Sequence, residues 1–215
     1  MERRPLGRSG LSVSALGFGA MTFGASGWLQ AYGAVSSSEA KRLVDAALDA
    51  GVNLFDTADI DSDGASEEML GEVARGRRER MVIATKCFGR TGPGEDDVGL
   101  SRQHIAKACD ASLRRLGVDY IDLYQVHNFD GATPLAETLD AMTSLVKAGK
   151  VRAIGCSNHF AWELTKAVST AEQAGLLPYA SQQVQYSLLV RDVETEILPA
   201  AIALVGDEPA SIIGG

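Results

Sequence analysis

Gly17-Phe18-Gly19-Ala20-Met21-Thr22 closes the first apolar run of the chain, Ala15 to Gly19, and two architectures part at this point. An open dinucleotide-binding sheet carries a Gly-rich fingerprint, GxGxxG, in its first strand-to-helix turn, running straight into a helix. This stretch lacks that spacing, and a long polar segment separates it from the first helical periodicity. Outward from it, further runs of strand character follow at Asn53 to Ala58, Met81 to Lys86, Ile121 to His127, Val151 to Ser157 and Ser181 to Tyr186. Stretches of helical period alternate with them, which predicts a parallel sheet with helices packed outside. Polar and ionisable residues recur at the C-terminal ends of the runs: Asp56, Lys86, His127, Ser157 with Asn158, and Gln183. A closed barrel brings all its strand ends to one mouth, where barrel active sites lie. The fold is therefore read as α/β, a (β/α)8 TIM-type barrel.

The helices carry their own end signals. Ser36-Ser37-Ser38-Glu39 has the spacing of a capping box and Gly51 closes that helix. Thr133-Pro134 opens another with Pro at the first helical position, Gly149 ends it, and Leu135, Leu139, Met142 and Val146 give it one apolar face. Ser101 to Leu116 and Phe160 to Ala174 behave alike. Arg3 to Leu6 and Leu11 to Val13, around Gly7-Arg8-Ser9-Gly10, read as an N-terminal β-hairpin that plugs the closed end.

Composition narrows the function. With 215 residues, 46% apolar and 22% charged, the chain reads as an ordinary globular protein. No window approaches eighteen apolar residues and Met1-Glu2-Arg3-Arg4-Pro5 lacks the apolar core of a signal peptide, so neither a membrane nor secretion is expected. Cys87, Cys109 and Cys156 form no CxxC and no zinc spacing; a reducing cytoplasm is the default and no metal is expected. A net charge of −8 argues against a nucleic-acid partner, and the basic run Arg75 to Arg80 reads as a solvated helix terminus.

Singly, Asp56 reads as readily as a cap, Lys86 as a snorkelling surface residue, and His127 as a hydrogen-bonded structural residue. Together they change the reading. Three ionisable side chains at consecutive strand ends of one barrel must come within reach of each other, and burying unpaired charge is costly.

The chain also resembles the aldo-keto reductases, from about Pro5 to Ala200. The resemblance rests on Leu16-Gly17-Phe18-Gly19-Ala20-Met21, on Asn53-Leu54-Phe55-Asp56-Thr57-Ala58 with Ser66-Glu67 and Leu70-Gly71, and on Ala84-Thr85-Lys86. It continues through Asp119 to His127, Gly149 to Asn158, and Gln183-Val184-Gln185-Tyr186-Ser187. It implies metal-free reduction of a small carbonyl substrate with a nicotinamide coenzyme, usually NADPH. The same resemblance implies that Ser157, Asn158 and Gln183 hold the nicotinamide carboxamide, with Gly19, Met21 and Asp56 also at the coenzyme. Asp56, Lys86 and His127 become three of four catalytic residues.

The fourth departs from the pattern. Where the resemblance calls for a proton-donating Tyr, this chain has Asp61, giving a degenerate tetrad. A carboxyl starts near pKa 4, and a neighbouring ammonium lowers it further, so Asp61 is expected to be ionised, tied to Lys86 and a poor proton donor. Tyr32 is the one alternative phenol considered. The resemblance also implies a further helix, a seventh strand and a coenzyme-covering loop between about Ala200 and Ala201. The expected organisation is one domain, 1–215: a hairpin at 1–14, six βα units at 15–200, and a late helix and strand at 201–215, leaving the barrel one strand short and the coenzyme weakly held. Two other functions remain: a non-redox acid–base enzyme (lyase, isomerase or cyclase) using Asp61, Lys86 and His127, and a catalytically silent binding protein. Trp28, Phe88, Phe129 and Trp162 are candidates for an apolar mouth.

Overall fold

The computed structural model describes residues 1–26, 30–31 and 33–205, and the backbone of 212–214. Two short strands, β1 (Arg3–Pro5) and β2 (Ser12–Ser14), pair antiparallel as the N-terminal hairpin. Then β3 (Gly17–Gly19), α1 (Ser37–Asp49), β4 (Leu54–Asp56), α2 (Ala65–Ala74), β5 (Val82–Cys87) and α3 (Arg102–Leu116) follow. The chain continues through β6 (Ile121–Val126), α4 (Leu135–Lys147), β7 (Val151–Ser157), α5 (Ala161–Ala174), β8 (Gln182–Val184), α6 (Ile197–Val205) and β9 (Ile212–Gly214). Strands β3 to β9 form one parallel sheet in sequential order.

That sheet is strongly curled. Flat strands lie about 4.8 Å apart, so the four steps from β4 to β8 would separate them by about 19 Å. Yet Gln183 Nε2 on β8 donates to Asp56 Oδ2 on β4 at 3.1 Å. The strand alternation supports this geometry with two distinct apolar cores. Leu54, Val82, Ala84, Leu123 and Ala153 point inward and meet Leu6, Leu11 and Val13 of the hairpin, which fills the closed end. Phe55, Ile83, Tyr124, Ile154 and Cys156 point outward into the larger core beneath the helices.

Local signals explain most element ends. Ser36 Oγ accepts from Glu39 N at the start of α1, and Ser101 Oγ accepts from His104 N at the start of α3. The reciprocal half of the capping box is replaced, because the Glu39 carboxylate pairs with Arg42 instead. Pro134 sits at the cap of α4 rather than inside it. The helix α6 runs unbroken across Ala200 and Ala201, and β9 pairs directly with β8, Gln183 facing Ile213. The basic run after α2 is less solvated than its sequence suggests: Arg77 pairs with Asp45, and Arg78 joins Arg152 on the buried Asp122, at 2.6 and 3.0 Å. Arg78 also stacks on the Tyr120 ring, 4.4 Å from its centroid.

Helices α2 and α3 approach so closely at Gly71 that a Cβ there would run into the Leu116 backbone carbonyl. Backbone, unlike a flexible side-chain tip, cannot yield cheaply. Gly71→Ala is expected to lower stability by about 1–3 kcal/mol through overpacking, read as a reduced urea midpoint with an unchanged denaturant slope.

Candidate active site

Five consecutive strands of the sheet supply the site. Asp56 ends β4, Lys86 lies next to last on β5, His127 follows β6, Ser157 ends β7 with Asn158 after it, and Gln183 is central in β8. Because successive side chains on a strand alternate, Leu54 and Asp56 share one face, as do Val82, Ala84 and Lys86. Each strand therefore passes from apolar packing at the plugged end to polar chemistry at the open one.

Lys86 Nζ donates to Asp56 Oδ2 at 2.7 Å and to the Thr57 carbonyl at 2.9 Å. Both charges are largely withdrawn from solvent, the side chains being 6% and 18% exposed, so the pair must compensate its own desolvation through close geometry. Gln183 adds the third contact to Asp56, and its Oε1 accepts from Gln125 Nε2 at 2.9 Å. Asn158 stands in left-handed backbone, φ 55°, a conformation Asn tolerates; its Nδ2 reaches the His127 carbonyl and Ser157 Oγ.

A cavity of about 400 Å³ opens onto this cluster, lined by Met21, Asp56, Asp61, Lys86, His127, Ser157, Asn158, Gln183, Val184 and Gln185. Eight of the nine residues singled out by the sequence thus line one cavity; the ninth, Gly19, lies beside Asp56 in strand register without lining it. The aromatic mouth is not found there. Phe88 packs against the outer core, and Phe129 stacks edge-on against Trp162 and His159. Trp28 and Tyr32 lie outside the described residues.

Electrostatics correct one expectation about Asp61. Lys86 is committed to Asp56, and burial pushes the Asp61 carboxyl up to about 6, with the ammonium of Lys86 opposing and the charge of Asp56 adding to the shift. Desolvation outweighs the neighbouring cation. Burial, helped by Lys86, also depresses His127 to about 4, leaving a neutral imidazole whose buried Nδ1 has no partner among the described residues. After Asp61 the backbone turns through Ser62 and Asp63 at φ 52° and 56° and then Gly64 at 93°. Consecutive left-handed residues that are not Gly carry about 1–3 kcal/mol of strain each, here at the edge of the site.

Sequence reasoning missed the buried polar layer behind this turn. Glu67, wholly enclosed, accepts from Thr85 Oγ1 at 2.6 Å and pairs with Arg115 at 2.6 Å. Asp59, 3% exposed, has no side-chain partner for either carboxylate oxygen among the described residues. The only advance signals were a Thr within an apolar strand and a second acid after Ala58.

Comparison with known proteins agrees with this architecture. The Aldo/keto reductase family profile matches residues 15–206. The chain is 40% identical over 212 residues to an uncharacterized oxidoreductase, YrpG, of Bacillus subtilis (strain 168), covering 94% of this chain and 63% of that protein. It is 38% identical over 203 residues to a probable voltage-gated potassium channel subunit beta of Arabidopsis thaliana, covering 93% and 60%. It is 37% identical over 219 residues to versiconal hemiacetal acetate reductase of Aspergillus parasiticus, covering 93% and 63%. The chain belongs to the aldo/keto reductase family. It spans about three-fifths of the length of these curated relatives.

Asp59 gives the first test of the electrostatics. Burial, reinforced by the charge of Glu67, pushes its carboxyl from 3.8 up to about 8. A carboxyl raised on folding favours the folded state most at low pH, and that contribution is lost as pH climbs from about 4 through 8. At about 1.4 kcal/mol per unit the loss is on the order of 5 kcal/mol. Urea midpoints across pH 4–9 should therefore fall for the wild type and fall less steeply for Asp59→Asn; parallel curves would contradict the assignment.

Proposed function

We propose that this chain reduces the carbonyl group of a small substrate using NADPH, with Asp61 as its proton donor. The observation that carries the reading is the meeting of Asp61, the Lys86–Asp56 pair and neutral His127 with Ser157, Asn158 and Gln183 on one cavity. The family and the oxidoreductase names of two relatives support it. The reading treats the curled sheet as part of a (β/α)8 barrel lacking a seventh strand unit, organised as the single domain outlined above. The three cysteines, free and buried, suit a reducing cytoplasm.

The polar groups fit a nicotinamide. Asn158 Oδ1 accepts no hydrogen bond from the described residues, and Gln183 retains a second amide hydrogen; with Ser157 Oγ they offer the acceptor and donors a planar carboxamide needs. Met21 lies on the same cavity and supplies apolar contact for the ring. When bound, the coenzyme supplies hydride to the carbonyl carbon. The chain's own residues then handle the oxygen. Neutral His127 can donate a hydrogen bond to it without transferring a proton, and the fixed ammonium of Lys86 stabilises the developing negative charge. Asp61, when protonated, hands its proton to that oxygen and leaves as carboxylate. Asp56 holds Lys86 in place.

This assignment makes turnover acid-shifted and slow at neutral pH. With a carboxyl near 6, about one Asp61 in ten is protonated at pH 7 and about nine in ten at pH 5. Initial rates with aldehydes at saturating NADPH should rise by up to about tenfold between those values. Asp61→Asn should abolish the rise. Asp61→Tyr, restoring the phenol implied by the family resemblance, should raise turnover at pH 7 by about tenfold, the share of donor that an acid near 6 lacks there, and flatten its pH dependence between 5 and 7. Ordinary neutral-pH turnover by the wild type, unchanged in Asp61→Asn, would refute the assignment.

A further inference from the structure

The proposed roles leave one wholly buried polar side chain at the heart of the site unused. Gln125 lies on the inner face of β6, with Lys86 as its strand partner on β5 and Gly155 on β7. An ionised carboxylate only accepts hydrogen bonds, so Gln183 must turn Nε2 toward Asp56, as it does at 3.1 Å. Its Oε1 then faces away from Asp56 and needs a donor. Gln125 Nε2 is that donor, at 2.9 Å. Strands β6 and β8 are not neighbours, because β7 stands between them. The bridge exists because β7 carries Gly155 at this level: a Cβ there would stand 2.5 Å from Ser181 Oγ and 3.3 Å from Gln125 Cγ.

We propose that Gln125, reaching past Gly155, is a positioning residue that fixes which way the Gln183 amide points and so keeps Gln183 on the Asp56 carboxylate beside Lys86. The hydrogen-bond polarity runs in one direction, Gln125 to Gln183 to Asp56, with Lys86 donating into the same carboxylate. Its consequence for turnover rests on the reductase reading; the positioning itself does not.

Two substitutions separate shape from polarity. Gln125→Met keeps the length and removes the donor. Gln125→Glu keeps the outline, but once ionised it cannot donate, so Gln183 must rotate its NH₂ toward residue 125 and set its own oxygen against Asp56.

The test reads the Gln183 side-chain amide directly by ¹⁵N NMR in the protein without coenzyme, its signal assigned by its disappearance in Gln183→Leu. In the wild type, coupling through the hydrogen bond from Gln125 Nε2 to the Gln183 carboxamide carbon should be detected. Solvent exchange of the Gln183 amide should be at least about tenfold faster in Gln125→Met than in the wild type at the same pH, in protein whose urea unfolding remains cooperative. In Gln125→Glu the Gln183 amide signals should match the wild type at low pH, where residue 125 carries a proton and donates, and shift above the pH of its ionisation as the amide turns over. A merely structural Gln125 would leave Gln183 exchange where it was in any variant that folds. That result, or no coupling in the wild type, overturns the proposal. None of these readouts needs NADPH, so absent turnover alongside an intact amide pairing overturns the reductase reading alone.

Discussion

The 3.1 Å contact between Gln183 and Asp56, joining residues 127 apart in sequence, is the constraint on which the rest depends. It can form only if the sheet curls enough to bring the ends of β4 and β8, four places apart, face to face, and the curl in turn makes an interior. Without that interior the Lys86–Asp56 pair would lie on an exposed surface, where an ion pair contributes about 0–1 kcal/mol and positions little. Enclosed, the pair becomes rigid, and losing either partner strands the other charge at a cost of about 3–5 kcal/mol. The hairpin completes the arrangement from the opposite end, since Leu6, Leu11 and Val13 fill the space below Leu54, Leu123 and Ala153 that would otherwise admit water.

The segment after β4 shows what that enclosure does to acids. Asp56, Asp59 and Asp61 follow one another within six residues, and each meets a different fate. Asp56 has the ammonium of Lys86 and the amide of Gln183. The Asp59 carboxyl has no side-chain partner among the described residues, Arg115 being committed to Glu67, and burial with the charge of Glu67 pushes it up to about 8. Asp61 falls between, facing the cavity at about 6. One short stretch thus holds a fixed charge, a neutral buried acid and a group poised to exchange protons near physiological pH, differing only in what surrounds each carboxyl.

Much of this was legible in the sequence because it is encoded locally. The runs ending at Asp56, Lys86 and Ser157 announce strands through their β-branched and apolar residues, and the caps at Ser36, Ser101 and Gly149 mark helix ends within a turn. The convergence of strand-end residues followed from alternation of strand and helix. The state of Asp61 did not, because reading it from sequence weighed the nearby ammonium and had no measure of desolvation. Gln125 was passed over as one more residue in an apolar run; its neighbour in space, Gly155, sits thirty positions away, and only the strand register joins them. The layer of Thr85, Glu67 and Arg115 was hidden for the same reason, each residue being unremarkable until three elements are packed together. Arg78 shows the converse, a surface-like residue drawn inward by the buried Asp122.

A double-mutant cycle on stability reaches the central contact most directly. Urea unfolding of wild type, Asp56→Ala, Gln183→Ala and the double variant at pH 7 measures the coupling between strands four places apart. The account predicts a favourable coupling of about 1–3 kcal/mol, the range for a hydrogen bond to a charged group. Additive effects, with coupling indistinguishable from zero, would mean that the walls do not meet there and would contradict it.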